Sequence, residues 1–406
     1  MSPRLPLKRV AEVRFSNVDK KTVDGQIPVR LCNYTDVYYS DRIRAGMAFM
    51  EATATPGQVA RFTLHAGDVL LTKDSETADD IGVSAFVPDD LPGVLCGYHL
   101  AVARPRSSVE GRFLRWALAS TTARQQLEVA ATGVTRFGLR EDAVGSVTVP
   151  VPSLAVQRAI ADHLDAETAR IEGVIAARRA AADLVSLRLA VTTRQLVLSD
   201  TIGRPYPVVP LRRRWQVIDC KHRTPSYLPD GYPIVSPGDA TPGRLDLSAC
   251  TRFIGQADFE DLTEGPRRPR RGDILYTRNA SIGIATYVDT DESFSMGQDV
   301  CLIRSSDQDQ RYLAYVLNTI GIDQLEEQKI GSTFSRINVA RILSLSIPCP
   351  PVEDQRRIAD ALDQATKQTS DLLAATRRQI ELLLERRQAL ITGAVVGQFE
   401  FREVVA

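Results

Sequence analysis

Cys349 follows a proline in the segment IPCPPVEDQRRIADALD (Ile347 to Asp363), as the nucleophilic thiol does in some cytosine methyltransferases. A thiolate there would attack a base, and it would need a glycine-rich loop upstream to serve a methyl donor. No such loop precedes it. A second segment, VPVPSLAVQRAIADHLD (Val149 to Asp165), is nearly the same phrase 198 residues earlier, with Val151 where the cysteine stands. A hydrocarbon cannot replace a nucleophile. Cys349 therefore reads as a small buried thiol at the foot of a helix.

Other chemistries fail on their residue types. No G-x-x-x-x-G-K-[ST] run is present to cradle phosphates, and no G-x-G-x-x-G follows a strand to bind a dinucleotide. An Asn/Asp-Pro-Pro-aromatic tetrapeptide, expected of an amino-methyltransferase, is missing from both halves. Glu327-Gln328-Lys329 offers an E-x-K of the nuclease kind, but it falls in an expected helix. The histidines His65, His99, His163 and His222 lack zinc-ligand spacing, and Cys220-x-His222 has no second pair. No catalytic residue and no metal site is expected.

With 406 residues the chain can build two or three cores. Its 44% apolar and 25% charged content are those of a globular protein. No run of about 18 apolar residues exists, so no membrane span is expected. The start, MSPRLPLKRV, lacks an apolar signal core, and the six cysteines are scattered. Together these point to reduced thiols in a cytoplasm. Net charge is zero and the pI about 6.9, unlike a freestanding nucleic-acid binder. Locally, RRPRR (Arg267 to Arg271) and RRR (Arg212 to Arg214) are basic and DDIGVSAFVPDD is acidic.

The two phrases are part of a duplication. Pro150, Pro152, Gln157, Arg158, Ile160, Ala161, Asp162, Leu164 and Asp165 recur as Pro348, Pro350, Gln355, Arg356, Ile358, Ala359, Asp360, Leu362 and Asp363. Unrelated segments of that length share roughly one residue. At the same offset Gly133 and Thr135 meet Gly331 and Thr333. Upstream, AGDVLLTKDSETADDIGVSAFV parallels RGDILYTRNASIGIATYV, sharing Gly67-Asp68 with Gly272-Asp273. LPLKRVAEV from Leu5 resembles VPLRRRWQV from Val209. Each half is one mixed domain followed by one long helical segment.

From Ser153 to about Leu198 there is no proline, and Gly173 is the sole glycine. Leu164, Ile171 and Val185, with Ala161, Ile175, Ala182, Leu189 and Leu196, form an a/d seam interrupted at Arg178. Ser153 is placed as an N-cap. In the second copy Leu362, Leu383 and Leu390, with Ala359, Leu373 and Ile380, continue the pattern, and the helix is expected to end near Gly393. Such a helix is about 65 Å long. Two of them, each with one apolar stripe, most simply pair antiparallel and hold the domains at opposite ends of a rod. The alternative is two helices that each pack only on their own domain. In the mixed domains, GDVLLT and GDILYT read as strands; GRFLRWALASTTARQQLEVAA and QRYLAYVLNTIGIDQLEEQ each read as a short amphipathic helix.

The proline-rich lead-in with Q-R-x-I-A-D-x-L-D in both copies, the paired GD-[VI]-L strands, GSTFSRINVARILSLSIPCP and DCKHRTPSY resemble the DNA-specificity subunits of type I restriction-modification systems. The resemblance covers nearly the whole chain. It implies an α+β protein: two repeated α/β target-recognition domains separated by two long α-helices forming an antiparallel coiled coil. The expected bounds are recognition domains at 1–150 and 201–349, spacer helices at 151–200 and 350–396, and a tail at 397–406. Each recognition domain would read half of a bipartite, asymmetric site in double-stranded DNA. Two methyltransferase subunits would dock on the helices and motor-nuclease subunits would join them. S-adenosylmethionine, ATP and Mg2+ would serve those partners, with none held by this chain, in a prokaryotic cytoplasm.

On that resemblance the favoured DNA contacts in the first domain are Arg30, Asn33, Tyr34, Lys73, Asp74 and Arg136. In the second they are Lys221, His222, Arg223, Thr224, Tyr227, Arg278, Asn279, Ser332, Thr333 and Arg336. Arg267, Arg268, Arg270 and Arg271 suit phosphate better than bases. Arginine and asparagine can contact guanine and adenine edges in bidentate fashion, while lysine mostly meets phosphate. For each, a turn or surface hydrogen bond is the competing role. The second copy has no arginine where Arg30 stands, so contacts do not carry over between halves. A fused enzyme with unrecognised motifs and a coiled-coil adaptor binding protein are the alternatives from other classes.

Overall fold

The computed structural model describes residues 2–199, 203–327 and 336–399. By compactness the chain forms two units: Met1–Arg179 with Arg377–Ala406, and Ala180–Thr376. Among the described residues no helix is long and apolar enough to cross a membrane.

The duplication reappears strand by strand. In the first unit a four-stranded antiparallel sheet runs Ala11–Phe15, Leu100–Pro105, Val69–Thr72, Ser84–Phe86. In the second unit Gln216–Asp219, Val300–Arg304, Ile274–Thr277 and Ala285–Tyr287 take the same order, with Gly243–Arg244 added at the edge. A second sheet in each unit contains a parallel pair: Ile27–Cys32 beside Leu91–Cys96, and Tyr232–Val235 beside Ser295–Met296. The central strands Val69–Thr72 and Ile274–Thr277 are buried along their length, which their unbroken apolar wording requires.

The repeated Gly-Asp turn is an internal brace. Asp68 is buried and takes both Arg104 Nε and Nη2 at 2.8 Å, while its Oδ2 also accepts the His65 N–H at 2.9 Å. Asp273 is matched: Arg304 Nε and Nη2 lie at 2.6 Å and the Arg270 N–H at 2.8 Å. A bidentate pair with a third donor satisfies a carboxylate that burial would otherwise penalise.

Two helices of 45 residues follow the mixed domains, Leu154–Leu198 and Val352–Val396. Ser153 Oγ accepts the Val156 N–H at 3.5 Å, a long N-cap bond. In the first unit Ile160, Ala161 and Leu164 share a core with Ile391, Ala394 and Val395. In the second, Ile358, Ala359 and Leu362 share one with Val197. Each unit thus joins the start of one helix to the end of the other, so the pair is antiparallel. Along the seam Ile171 and Ile175 are buried, whereas Val185, Leu189, Leu373, Ile380, Leu383 and Leu390 are half-buried.

The repeated phrase Q-R-x-I-A-D-x-L-D is the joint between helix and domain. Gln157 is fully buried; its Oε1 accepts the Glu110 N–H (2.8 Å) and its Nε2 donates to the Ser108 and Pro152 carbonyls (3.0 and 2.8 Å). Gln355, equally buried, serves the Asp309 N–H (3.1 Å) and the Pro350 carbonyl (2.9 Å). The aspartates clamp an arginine from the domain: Arg112 Nη1 to Asp162 and Asp165 (2.7 and 3.3 Å), Arg311 Nη1 to Asp360 and Asp363 (2.7 and 3.0 Å). An aromatic donor completes each clamp, Trp116 Nε1 to Asp165 (3.0 Å) and Tyr315 Oη to Asp363 (2.8 Å).

Two expectations need correction. The stretch GRFLRWALASTTARQQLEVAA is two helices, Gly111–Ala119 and Thr121–Ala130, because Ser120 is extended and its hydroxyl caps the second at Ala123 N–H. The second long helix ends at Val396, near Gly393 as expected. There Gly397 takes φ +82°, and bonds from Gly397 N to Ala394 O and Gln398 N to Gly393 O close the last turn. Cys349 is half-buried rather than buried. Its thiol lies 3.5 Å from Gln308 Oε1, and burial raises its pKa, which keeps it protonated.

Candidate nucleic-acid interface

The ends of two parallel strands build the candidate surface in each unit. Ile27–Cys32 and Leu91–Cys96 finish side by side and release the loops Asn33-Tyr34 and Gly97-Tyr98-His99. Gly97 N–H donates to Cys32 O at 2.8 Å, and a Cβ on Gly97 would lie 2.7 Å from that oxygen. No larger residue fits there. In the second unit Val235-Ser236 and Met296-Gly297 meet in the same way, with Gly297 N–H donating to Val235 O at 2.8 Å. Asn33 N–H is held by Asp36 Oδ2 at 2.7 Å, and Ser236 N–H by Asp239 Oδ2 at 2.8 Å. Asn33 and Ser236 are therefore counterparts.

Beside these loops the buried central strand delivers Lys73-Asp74 in one unit and Arg278-Asn279 in the other. Lys73 N–H donates to His99 O (3.1 Å) and Lys73 O accepts from Leu139 N–H (2.8 Å). Arg278 N–H donates to Asp299 O (2.8 Å), and its carbonyl accepts from Ile337 N–H (2.9 Å). On this common backbone the side chains differ. Lys73 Nζ lies 4.4 Å from the Tyr98 ring centroid and 5.2 Å from that of Phe15, with a bond to Ser16 O at 3.3 Å. Burial lowers its pKa. His99 Nδ1 sits 2.7 Å from Asp74 Oδ2. Tyr34 stacks on Tyr38 at 5.4 Å, and burial raises its pKa. Arg136 is exposed and acts electrostatically on the Tyr34 phenol. Asn33, Tyr34, Lys73, Asp74 and Arg136 are thus brought together.

In the second unit Arg278 is 4% exposed; its guanidinium pairs with Asp219 and donates to Ile337 O at 3.1 Å. Asn279 Nδ2 donates to Asp299 Oδ2 (3.2 Å), and Arg336 Nε meets Asp299 Oδ1 (2.7 Å). Asp299 holds φ +66°, a conformation such ties must support. His222 bridges Asp219 (3.3 Å) and Arg336 (3.4 Å), and Gln298 Nε2 donates to Thr224 Oγ1 at 2.8 Å. His222, Thr224, Arg278, Asn279 and Arg336 converge. Among the described residues Asp219, Cys220 and His222 have ligand-type atoms within 4.8 Å of one another, but Arg278 and Arg336 occupy that cluster with their guanidinium groups.

The remaining candidates lie apart. Arg223 is bound to Asp258 and Asp261 (2.5 and 2.8 Å), and Lys221 to Asp261 and Glu264, so their charges are met internally. Tyr227 has Arg252 over its ring at 5.7 Å. Arg30 is exposed on its strand, 6.0 Å from the Phe49 centroid. Arg267, Arg268, Arg270 and Arg271 precede the strand Ile274–Thr277, whereas Arg278 follows it. Arg268 lies over Phe259 and Arg271 pairs with Asp289 and Asp291. Ser332 and Thr333 fall outside the described residues. Reading the sequence missed Tyr98, His99, Gln298 and Asp299. A match of CGYHLAVAR with MGQDVCLIR, offset by 200, would have exposed them.

Residues 223–382 match the family model described as type I restriction modification DNA specificity domain. Two solved structures share the fold. One is a chain from work on complex assembly and conformational transition of the type I R-M system: TM-score 0.77, 20% identity, 98% of this chain and 100% of that one covered. The other is the HsdS subunit from Thermoanaerobacter tengcongensis: TM-score 0.56, 20% identity, 98% and 97% covered. The second half thus matches a type I restriction-modification DNA specificity domain, and the fold as a whole is that of these two solved chains.

Proposed function

We propose that the chain is a non-catalytic DNA reader: each unit recognises one half of a bipartite, asymmetric duplex site through the loops at the ends of its parallel strands. One observation carries this reading. Both units present the same backbone frame there, yet Lys73, Asp74 and His99 in one correspond to Arg278, Asn279 and Asp299 in the other. A shared frame with exchanged side chains is what two readers of different sequences need, since base-edge contacts specify and phosphate contacts position.

In this reading Arg278 positions the loop through Asp219, while Arg136, Asn279, Arg336 and Thr224 face the DNA. The long helices carry two methyltransferase subunits, and motor-nuclease subunits complete the assembly. Adenine methylation and cleavage, with S-adenosylmethionine, ATP and Mg2+, belong to those partners in a prokaryotic cytoplasm. Recognition domains at 1–150 and 201–349 and spacers at 151–200 and 350–396 are the corresponding division. The test is methylome sequencing of the host with and without this gene, paired with methylation assays on the purified chain. Loss of one bipartite motif supports the reading; methylation of DNA by the chain alone would falsify it.

A further inference from the structure

The segment from Thr132 to Gly138 is a closed finger on the first unit's surface. Thr132 N–H donates to Gly138 O at 3.0 Å, and Gly138 N–H to Thr132 O at 2.9 Å. Its base is paired with the strand that carries Asp74, through Phe137 to Ser75 and Gly138 to Asp74. Gly133 adopts φ +144°, and a Cβ there would lie 2.0 Å from the Arg136 carbonyl oxygen, so only glycine closes this turn. The loop is consequently held in one shape.

At its tip Val134 is 93% exposed, flanked by exposed Thr135 and Arg136. An apolar side chain on a segment tied at both ends gains nothing from water and is preorganised for contact. In sequence the second copy keeps Gly331 and Thr333 but has Ser332 and Phe334 where the first has Val134 and Arg136. In the first unit the shared Gly133 closes the turn, while Val134 and Arg136, which differ between the copies, are exposed on it.

We propose that Val134 is a base-reading residue of the first unit, packing its methyl groups on the C5-methyl of a thymine in the major groove, with Arg136 beside it holding the finger against the duplex. Thymine is the base that offers a methyl group there. Serine at the corresponding sequence position of the second half offers a hydroxyl instead, so the two halves are expected to prefer different bases there. The inference rests on the DNA-reading function proposed above.

The experiment selects bound duplexes from a randomised double-stranded DNA library, using the full-length chain together with methyltransferase subunits from the same cell. The wild type is expected to enrich a motif with a thymine in one half. Val134→Ser and Val134→Ala are expected to relax that position and leave the other half unchanged. Replacing that thymine by deoxyuridine removes only the methyl group and is expected to weaken wild-type binding about fourfold, the worth of one buried methyl. The same replacement is expected to leave Val134→Ala almost unaffected. An unchanged motif in both variants overturns the proposal, as does equal loss on thymine and uracil duplexes. If the wild type enriches no motif, the DNA-reading function itself falls and this inference with it. Equal thermal midpoints for wild type and variants exclude a folding defect.

Discussion

Lys73 and Arg278 occupy the same backbone position in the two units and do opposite work. Lys73 stands between the Phe15 and Tyr98 rings, half-buried, with its charge met by ring faces and one carbonyl. Arg278 is buried against Asp219 and a backbone carbonyl. The residues beneath them differ in step: Phe15 ends its strand opposite Ala101, and Asp219 ends the matching strand opposite Cys301. An aromatic floor supports a cation that remains available to a partner, whereas a carboxylate floor consumes the charge locally. A repeated fold therefore repeats positions, and the chemistry at each position is set by its neighbour.

The largest test exchanges a whole unit's reader. Replacing Ser2 to Val149 by another such domain should change one half of the recognised motif completely and leave the other intact; motif sequencing decides, and a change in both halves breaks the modular comparison. Next is Arg278→Met. It should cost about 2 kcal/mol, because half-buried Asp219 loses its arginine and keeps only His222 nearby, and chemical denaturation measures it. Its salt dependence of DNA binding should stay that of wild type. Lys73→Met should do the reverse: folding stability within about 1 kcal/mol of wild type, since a desolvated charge is removed, and a log-log salt slope reduced by about one. Equal behaviour of the two variants would show that the floors do not matter.

Asp68→Asn and Asp273→Asn probe what the units share. Each should lose about 2 to 3 kcal/mol, because one partner of a buried bidentate pair is weakened, and similar losses from the two are expected in denaturation curves. Cys349→Val should have the smallest effect, within about 0.5 kcal/mol and without change in recognised motif, as a volume-conserving swap at a half-buried site. Loss of function in that variant would reopen the catalytic reading of the thiol.

The helical phrase was the most legible part of the chain because it is local. A helix places residues three and four apart on one face, so Ala161 and Leu164 could be read as buried from their spacing alone. The clamp of Asp165 by Arg112 and Trp116 could not, because its partners lie about fifty residues upstream and nothing local marks them. The break at Ser120 escaped for a related reason: apolar periodicity continues across it, while the hydroxyl cap depends on one backbone angle. In the candidate surface, Lys73 and Asp74 were found from the repeated Gly-Asp strand. His99 and Asp299 were missed because the shared offset changes from 198 to 200 between landmarks.

The sequence by itself determined the duplication, the two long helices and the buried strands that follow each Gly-Asp turn. Those follow from spacing and propensity, which act over a few residues. Tertiary structure alone decided which cations are spent and which are available. Lys221, Arg223 and Arg278 look as basic in sequence as Arg136, yet folding sets them against Asp261, Asp258 and Asp219. Charge is a property of the residue, but its availability depends on neighbours that the chain brings in from far away.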